Sequence, residues 1–188
     1  MKRLLLKQMS DGRTVLSGAG AGRALLAKLI AQTEPTARSE VVFLDFSGIE
    51  IATSSFLRES VIGFRDYARN SLQNVYPVVA NASDSVSEEL EFFVRNRGDA
   101  VWSCTLNDAG EISSPEVLGE LDPVQRATFE AVIKCGAATA SELAAREPNS
   151  GVGLTAWNNR LSWLSTKGLL VEKRSGKTKS FSPTLETS

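Results

Sequence analysis

The 188-residue chain contains no histidine. Without an imidazole, Ser-His and Cys-His activation of a nucleophile are excluded, and zinc sites of the usual Cys/His kinds lose their ligands. Cysteine is scarce: Cys104 and Cys135 stand far apart, with no close pair to indicate a disulfide or a metal knuckle. Long apolar runs are missing too. Leu4-Leu5-Leu6 is broken at Lys7, far short of a signal-peptide core, and no stretch approaches membrane-spanning length. The formal net charge of −1 excludes a histone-like coating protein. Carboxylate-only chemistry has a weak footing, because Glu88, Glu89 and Glu91 read as the wet face of a helix whose apolar side is Val86, Leu90 and Phe93. The expectation is a cytoplasmic protein that is not an enzyme, holds no metal or cofactor and does not enter a membrane.

What is present suits an ordinary core, with 42% hydrophobic residues. The first 110 residues alternate strand and helix patterns. Leu4 to Lys7 and Thr14 to Leu16 flank Ser10-Asp11-Gly12 and predict a hairpin, and an apolar helix follows around Ala24 to Ile30. Val41 to Phe46 and Val75 to Ala80 are buried-strand runs. Phe56, Leu57, Val61, Phe64 and Tyr67 mark a helix to about Arg69, Ser85 to Asn96 marks another, and Val101 to Leu106 a last strand. The order β-β-α-β-α-β-α-β predicts an α/β fold with a mixed, largely parallel sheet and helices packed on it.

Two features of this half could meet a ligand. Gly18-Ala19-Gly20-Ala21-Gly22-Arg23 is a glycine-rich turn between strand and helix; Gly20, Gly22 and Arg23 could cradle an anion with backbone N–H groups and a counter-charge. No Lys-Ser/Thr follows as in a phosphate-binding P-loop, and a flexible connection that lets the helix pack closely on the sheet is the plainer reading. Thr53-Ser54-Ser55 opens the helix that follows Val41 to Phe46. A phosphoryl group on Ser54 or Ser55 would sit at a helix N-terminus, which favours anions, yet the same residue types cap helices unmodified.

The segment from Val41-Val42-Phe43-Leu44-Asp45-Phe46-Ser47-Gly48 through Thr53-Ser54-Ser55-Phe56-Leu57-Arg58-Glu59 resembles the central strand and helix of STAS-like domains, the fold of anti-sigma-factor antagonists. The resemblance is closest to the bacterial STAS-like group whose pattern ends in Ser-Phe and an acidic residue. It implies a domain that binds a protein partner, with Ser54 as the position a kinase would modify. In true antagonists an Asp-Ser-Ser-Gly run opens the helix; here Thr53 replaces the Asp and Phe56 the Gly, while Ser54 and Ser55 match.

Residues 109–120 are mostly polar and broken by Gly110, Ser113-Ser114-Pro115 and Gly119, which reads as a linker, or a short strand plus linker, between domains at 1–108 and 121–183. Beyond it the punctuation is dense. Asp122 is an N-cap, Pro123 fits the first helical position and Gln125 could close a capping box, predicting a helix to about Lys134 that Gly136 ends. Thr139 with Glu142 is a second capping box, opening Ala140 to Arg146, which Pro148 and Asn149-Ser150-Gly151 stop. Helical spacing resumes at Thr155, with Leu154, Trp157, Leu161 and Leu164 on one face and Thr155, Asn158, Asn159 and Ser162 on the other. Gly168 closes this helix. Leu169 to Arg174 then predicts a strand turning through Ser175-Gly176 into Thr178 to Ser182, and Pro183 to Ser188 is expected to fray.

This order, with Arg160-Leu161-Ser162-Trp163-Leu164, Lys167-Gly168-Leu169-Leu170-Val171 and Lys173-Arg174-Ser175-Gly176-Lys177, resembles the recognition helix and wing of bacterial winged helix-turn-helix regulators over about residues 120 to 183. The resemblance implies duplex DNA as partner. Charge follows it: residues 1–118 carry 12 Lys and Arg against 15 Asp and Glu, whereas from Thr155 onward six cations (Arg160, Lys167, Lys173, Arg174, Lys177, Lys179) meet two acids, Glu172 and Glu186. Short polar side chains at Thr155, Asn158, Asn159 and Ser162 suit base edges, Arg160 and Lys167 would flank phosphates, and Lys173, Arg174, Lys177 and Lys179 would form the wing contact. One such module buries little surface, so a homodimer reading two half-sites is expected. A second reading stays open, in which the first domain captures a protein partner through the helix after Thr53 and the C-terminal unit is a protein-contact module.

Overall fold

The protein is described by a computed structural model covering residues 1–148 and 151–186. The Asn149-Ser150 part of the expected stop signal and the Thr187-Ser188 end lie outside the described residues.

The chain is α/β. Among the described residues, a five-stranded sheet is built from β1 (Lys2–Leu5), β3 (Glu40–Asp45), β5 (Val75–Ala80), β6 (Ala100–Leu106) and β7 (Ile112–Gly119), adjacent in that order. The first four run parallel, and β7 closes the edge antiparallel to β6. Two-residue strands β2 (Val15–Leu16) and β4 (Ile51–Ala52) pair separately, in parallel. Helices α2 (Ala19–Ala31), α3 (residues 54–72) and α4 (Asp84–Arg95) cover one face, joined by the one-turn α1 (Leu6–Met9). Within α3, Arg58–Ile62 and Ala68–Leu72 are π-helical. The first of these wide turns coincides with Ser60, whose hydroxyl donates to Phe56 O at 2.7 Å and competes for a helical acceptor.

The hairpin expected near the N-terminus is absent. Ser10 to Gly12 instead end α1, with Gly12 N–H donating to Lys7 O at 2.8 Å, and β1 pairs with β3 rather than with β2. Leu4 buries in the parallel pairing with β3 and Leu6 at the start of α1, and that burial outweighs the local turn signal. The interval read as a linker is mostly β7. Its polar sequence suits an edge strand, which buries only part of each residue.

C-terminal to β7, α5 (Pro123–Cys135), α6 (Ala140–Arg146) and α7 (Leu154–Thr166) are followed by the hairpin β9 (Leu170–Ser175) and β10 (Thr178–Pro183), with β8 (Ala138–Thr139) completing a three-stranded sheet in the order β8-β10-β9. Asp122 caps α5, accepting from Val124 N and Gln125 N at 2.9 Å. The box does not close there, because Gln125 Oε1 is buried without a partner. At Thr139 both halves of the capping box form. The chain end holds instead of fraying through residue 185: Thr184 Oγ1 donates to Gly168 O at 2.7 Å and Leu185 is buried.

Alternation along the central strands decides how the two halves meet. Val42, Leu44, Val75, Val79 and Val101 face α2, α3 and α4. Their neighbours Phe43, Val78, Ala80, Ala100, Trp102 and Cys104 face the other way, into a core completed by Leu121, Phe129, Val132, Leu161, Leu169 and Phe181 of the C-terminal half. Trp102 is central: its ring packs tilted on Phe129 at 5.7 Å, and its indole N–H donates to Leu169 O at 2.9 Å. The domains at 1–108 and 121–183 therefore share a core. Trp102→Ala should cost about 3–5 kcal/mol, and calorimetry of the wild type should show one cooperative transition; two separated transitions would contradict the shared core.

Candidate nucleic-acid interface

Helix α7 buries Trp157, Leu161 and Leu164, as its periodicity requires. Leu154 departs from that face and is 50% exposed, since it lies in the first turn between exposed Gly153 and Thr155. On the opposite side Thr155, Asn159 and Thr166 are exposed and Ser162 is half-buried, a stripe at spacings of four, three and four residues. Asn158 is half-buried, and its amide donates to Leu154 O at 3.2 Å, so one of its donors is used within the helix. Thr166 was not singled out from sequence, although the helical period reaches it.

The cations fall into two groups. Lys173 and Lys177 are exposed on the hairpin and have no anionic partner among the described residues, and Arg160 lies over the Trp157 ring at 5.4 Å. Arg174 and Lys179 instead share Glu172, at 2.8 and 3.1 Å. Burial acts to raise the Glu172 pKa, but its hydrogen bonds and charge contacts with Arg174 and Lys179 outweigh that and hold it below the ordinary carboxylate value. The Glu172 backbone N–H donates to Tyr76 OH at 3.1 Å, tying the hairpin to β5. The charge count had no means of showing this pairing, because it depends on the hairpin register that sets Glu172 opposite Phe181.

Lys167, expected to flank a phosphate, stands in an ion pair. Its ammonium lies 3.2 Å from Asp99, which Arg65 also grips through two bonds at 2.8 and 3.0 Å. Burial raises the Asp99 pKa, yet Arg65 and then Lys167 overcome it, so the carboxyl is held below its ordinary 3.8. Next to this cluster Arg69 reaches from α3 to the last turn of α7, donating to Ser165 O at 3.0 Å and stacking over the Tyr76 ring at 3.8 Å. An open cleft of about 1060 Å³ results, walled by α7 (Ser162, Thr166), by the hairpin (Lys173, Arg174) and by the first domain (Arg38, Asn74).

In the first domain, Ser54 and Glu89 come together. Ser54 N–H donates to Glu89 Oε1 at 2.9 Å, and the Ser54 hydroxyl donates to the same oxygen. Glu89 is thus no mere wet-face residue; its carboxylate occupies the anion-favouring N-terminus of α3. Thr53 stands at the cap position without capping, because its hydroxyl oxygen accepts from Gly18 N–H at 3.2 Å and lies 3.2 Å from Ser55 Oγ. In the glycine-rich turn the three candidate residues are placed differently. A Cβ on Gly22 would stand 2.7 Å from Phe56 O and 2.8 Å from Glu59 Cβ, so this glycine lets α2 press onto α3 rather than onto the sheet. Gly20 faces open space, and Arg23 pairs loosely with Glu59 at 3.7 Å. The two thiols are free: Cys104 is buried, its pKa pushed up to about 11 by burial and then by Asp45, and Cys135 is half-buried. Among the described residues, no group of three or more acidic or thiol side chains could hold a metal ion, and no helix is long and apolar enough to cross a membrane.

Two outcomes check this electrostatics. A depressed carboxyl stabilises the fold above its unfolded pKa and loses that contribution as pH falls through the folded value. Asp99→Asn should therefore melt below the wild type at neutral pH and converge with it below 3.8; a gap unchanged by pH would refute the ion-pair account. Ser54→Asp sets a second carboxylate against Glu89 and should lower the melting temperature, with Glu89→Gln restoring most of the loss.

Compared with known proteins, the chain matches no family model and no curated sequence.

Proposed function

We propose that this protein is a cytoplasmic, non-enzymatic DNA-binding regulator of bacterial type, in which a STAS-like domain carries a winged helix-turn-helix and two copies read two half-sites. The observation that carries the reading is the stripe on α7 of exposed Thr155, Asn159 and Thr166 with half-buried Ser162, while the opposite face of the helix is locked into the core, with the cationic hairpin beside it. A helix presented this way can enter a major groove, where short hydroxyl and amide side chains meet base-edge donors and acceptors. Lys173, Lys177, Arg174 and Lys179 then supply phosphate contacts, the last two by rotating away from Glu172.

The partner-capture alternative gains little, because Glu89 fills the place at Ser54 where a phosphoryl group would draw on the helix N-terminus. Full-length protein titrated with duplex DNA across a salt series is the test. A log–log slope of roughly −3 to −6 is expected for a few phosphates at about −0.9 each. Asn159→Ala should cost about 1–3 kcal/mol on a preferred site and leave the slope alone, whereas Lys173→Ala should weaken all sequences alike and flatten the slope by about 1. No binding down to low salt would remove the DNA reading.

A further inference from the structure

The winged-helix reading leaves one wall of the cleft without a role: the first-domain loop at Arg38 and the α3 residue Arg69, which lies across the floor. Arg69 is a half-buried guanidinium that meets carbonyl oxygens and an aromatic ring, with no carboxylate of the described residues within ion-pair distance. Burial lowers its pKa, opposed by Tyr76 and at longer range by Glu172. Its Nε and Nη1 hydrogens are spent on the carbonyl oxygens of Ser165, Gln73 and Val75, so it gives the cleft floor positive charge rather than a free fork of donors. Arg38 stands at the rim, exposed and with no side-chain partner among the described residues, and Lys173, likewise without an anionic partner among them, lines the same space. Around the cleft five cations, Arg38, Arg69, Lys173, Arg174 and Lys179, surround the single acid Glu172. Ser162 adds a neutral hydroxyl from α7, whereas the Thr166 hydroxyl donates to Trp163 O at 2.7 Å.

We propose that this cleft is a phosphate-binding site shared by both domains, and that on duplex DNA it takes the backbone segment running between the groove entered by α7 and the one touched by the hairpin. The inference rests on the DNA reading and extends it: Arg38 becomes a backbone contact from the first domain, which a winged helix alone would lack. The ligand chemistry is a phosphodiester. A free polyphosphate shares that chemistry, and the experiment separates the two sources.

Full-length wild type, Arg38→Ala, Arg38→Lys and Arg174→Glu are titrated by anisotropy against one labelled duplex from low to moderate salt, and each is melted with and without inorganic pyrophosphate. Losing one phosphate contact should flatten the Arg38→Ala slope by about 0.9 and weaken binding about eightfold at 0.1 M salt. Its melting temperature should be unchanged, since the Arg38 side chain is exposed and only its backbone carbonyl is bonded, by Thr36, and Arg38→Lys should restore most of the slope. If Arg38→Ala matches the wild type while Arg174→Glu binds weakly, the shared site is wrong and the DNA reading stands. If the wild type binds no duplex, both fall. If pyrophosphate raises the melting temperature through Arg38 while the duplex slope ignores it, the cleft is a small-anion site and the backbone proposal is overturned.

Discussion

A sheet with apolar side chains on both faces cannot leave either of them to water. In this chain β3, β5 and β6 alternate large residues to each side, and helices α2, α3 and α4 account for only one. The second face, with Phe43 and Trp102 at its middle, is covered by α5, α7 and the β9-β10 hairpin. This constraint governs the rest of the molecule. It fixes which side of α7 is core, so it also fixes which side is left for a ligand. Polar contacts then refine the docking: Trp102 to the Leu169 carbonyl, Tyr76 to Glu172 N–H, Arg69 to the end of α7.

Charge at the seam serves attachment before recognition. Asp99 holds Arg65 and Lys167 together where the halves meet, and Glu172 holds Arg174 and Lys179 at the root of the hairpin. Cations counted along a sequence are therefore not all available to a partner. Arg38 and Lys173, which make no ion pair among the described residues, come from different halves and border one cleft. Arg69 belongs with them for another reason: its charge is partly withdrawn from water without being neutralised.

Much of this was legible in the sequence where the signal is local. The buried runs at Val41 to Phe46 and Val75 to Ala80, the Asp122 and Thr139 caps, and the Trp157-Leu161-Leu164 face each depend on neighbours within one element, and each matches the structure. What failed depends on partners distant in the chain. β1 bypasses its nearby turn to pair with β3, and residues 112–119 become a strand because β6 offers an edge. Thr53 spends its hydroxyl on Gly18, and Glu89 leaves its own helix's wet face to cap another. The first-domain half of the cleft was invisible for the same reason, since Arg38, Arg69 and Lys173 become neighbours only after the sheet's second face is covered.

The passage from sheet to α5 is short and tightly held. Gly119 ends β7 with φ at 104°, and a Cβ there would stand 2.6 Å from a Val94 methyl. Two residues later Leu121 is buried, and Asp122 already caps the next helix. Such a junction transmits orientation, where a pliable tether would average it away. If copies of the chain associate through their first domains, the angle and separation of the two α7 helices are set by that association alone. The spacing of the sites they could read would then be a fixed length, with no slack for operators one or two base pairs longer or shorter.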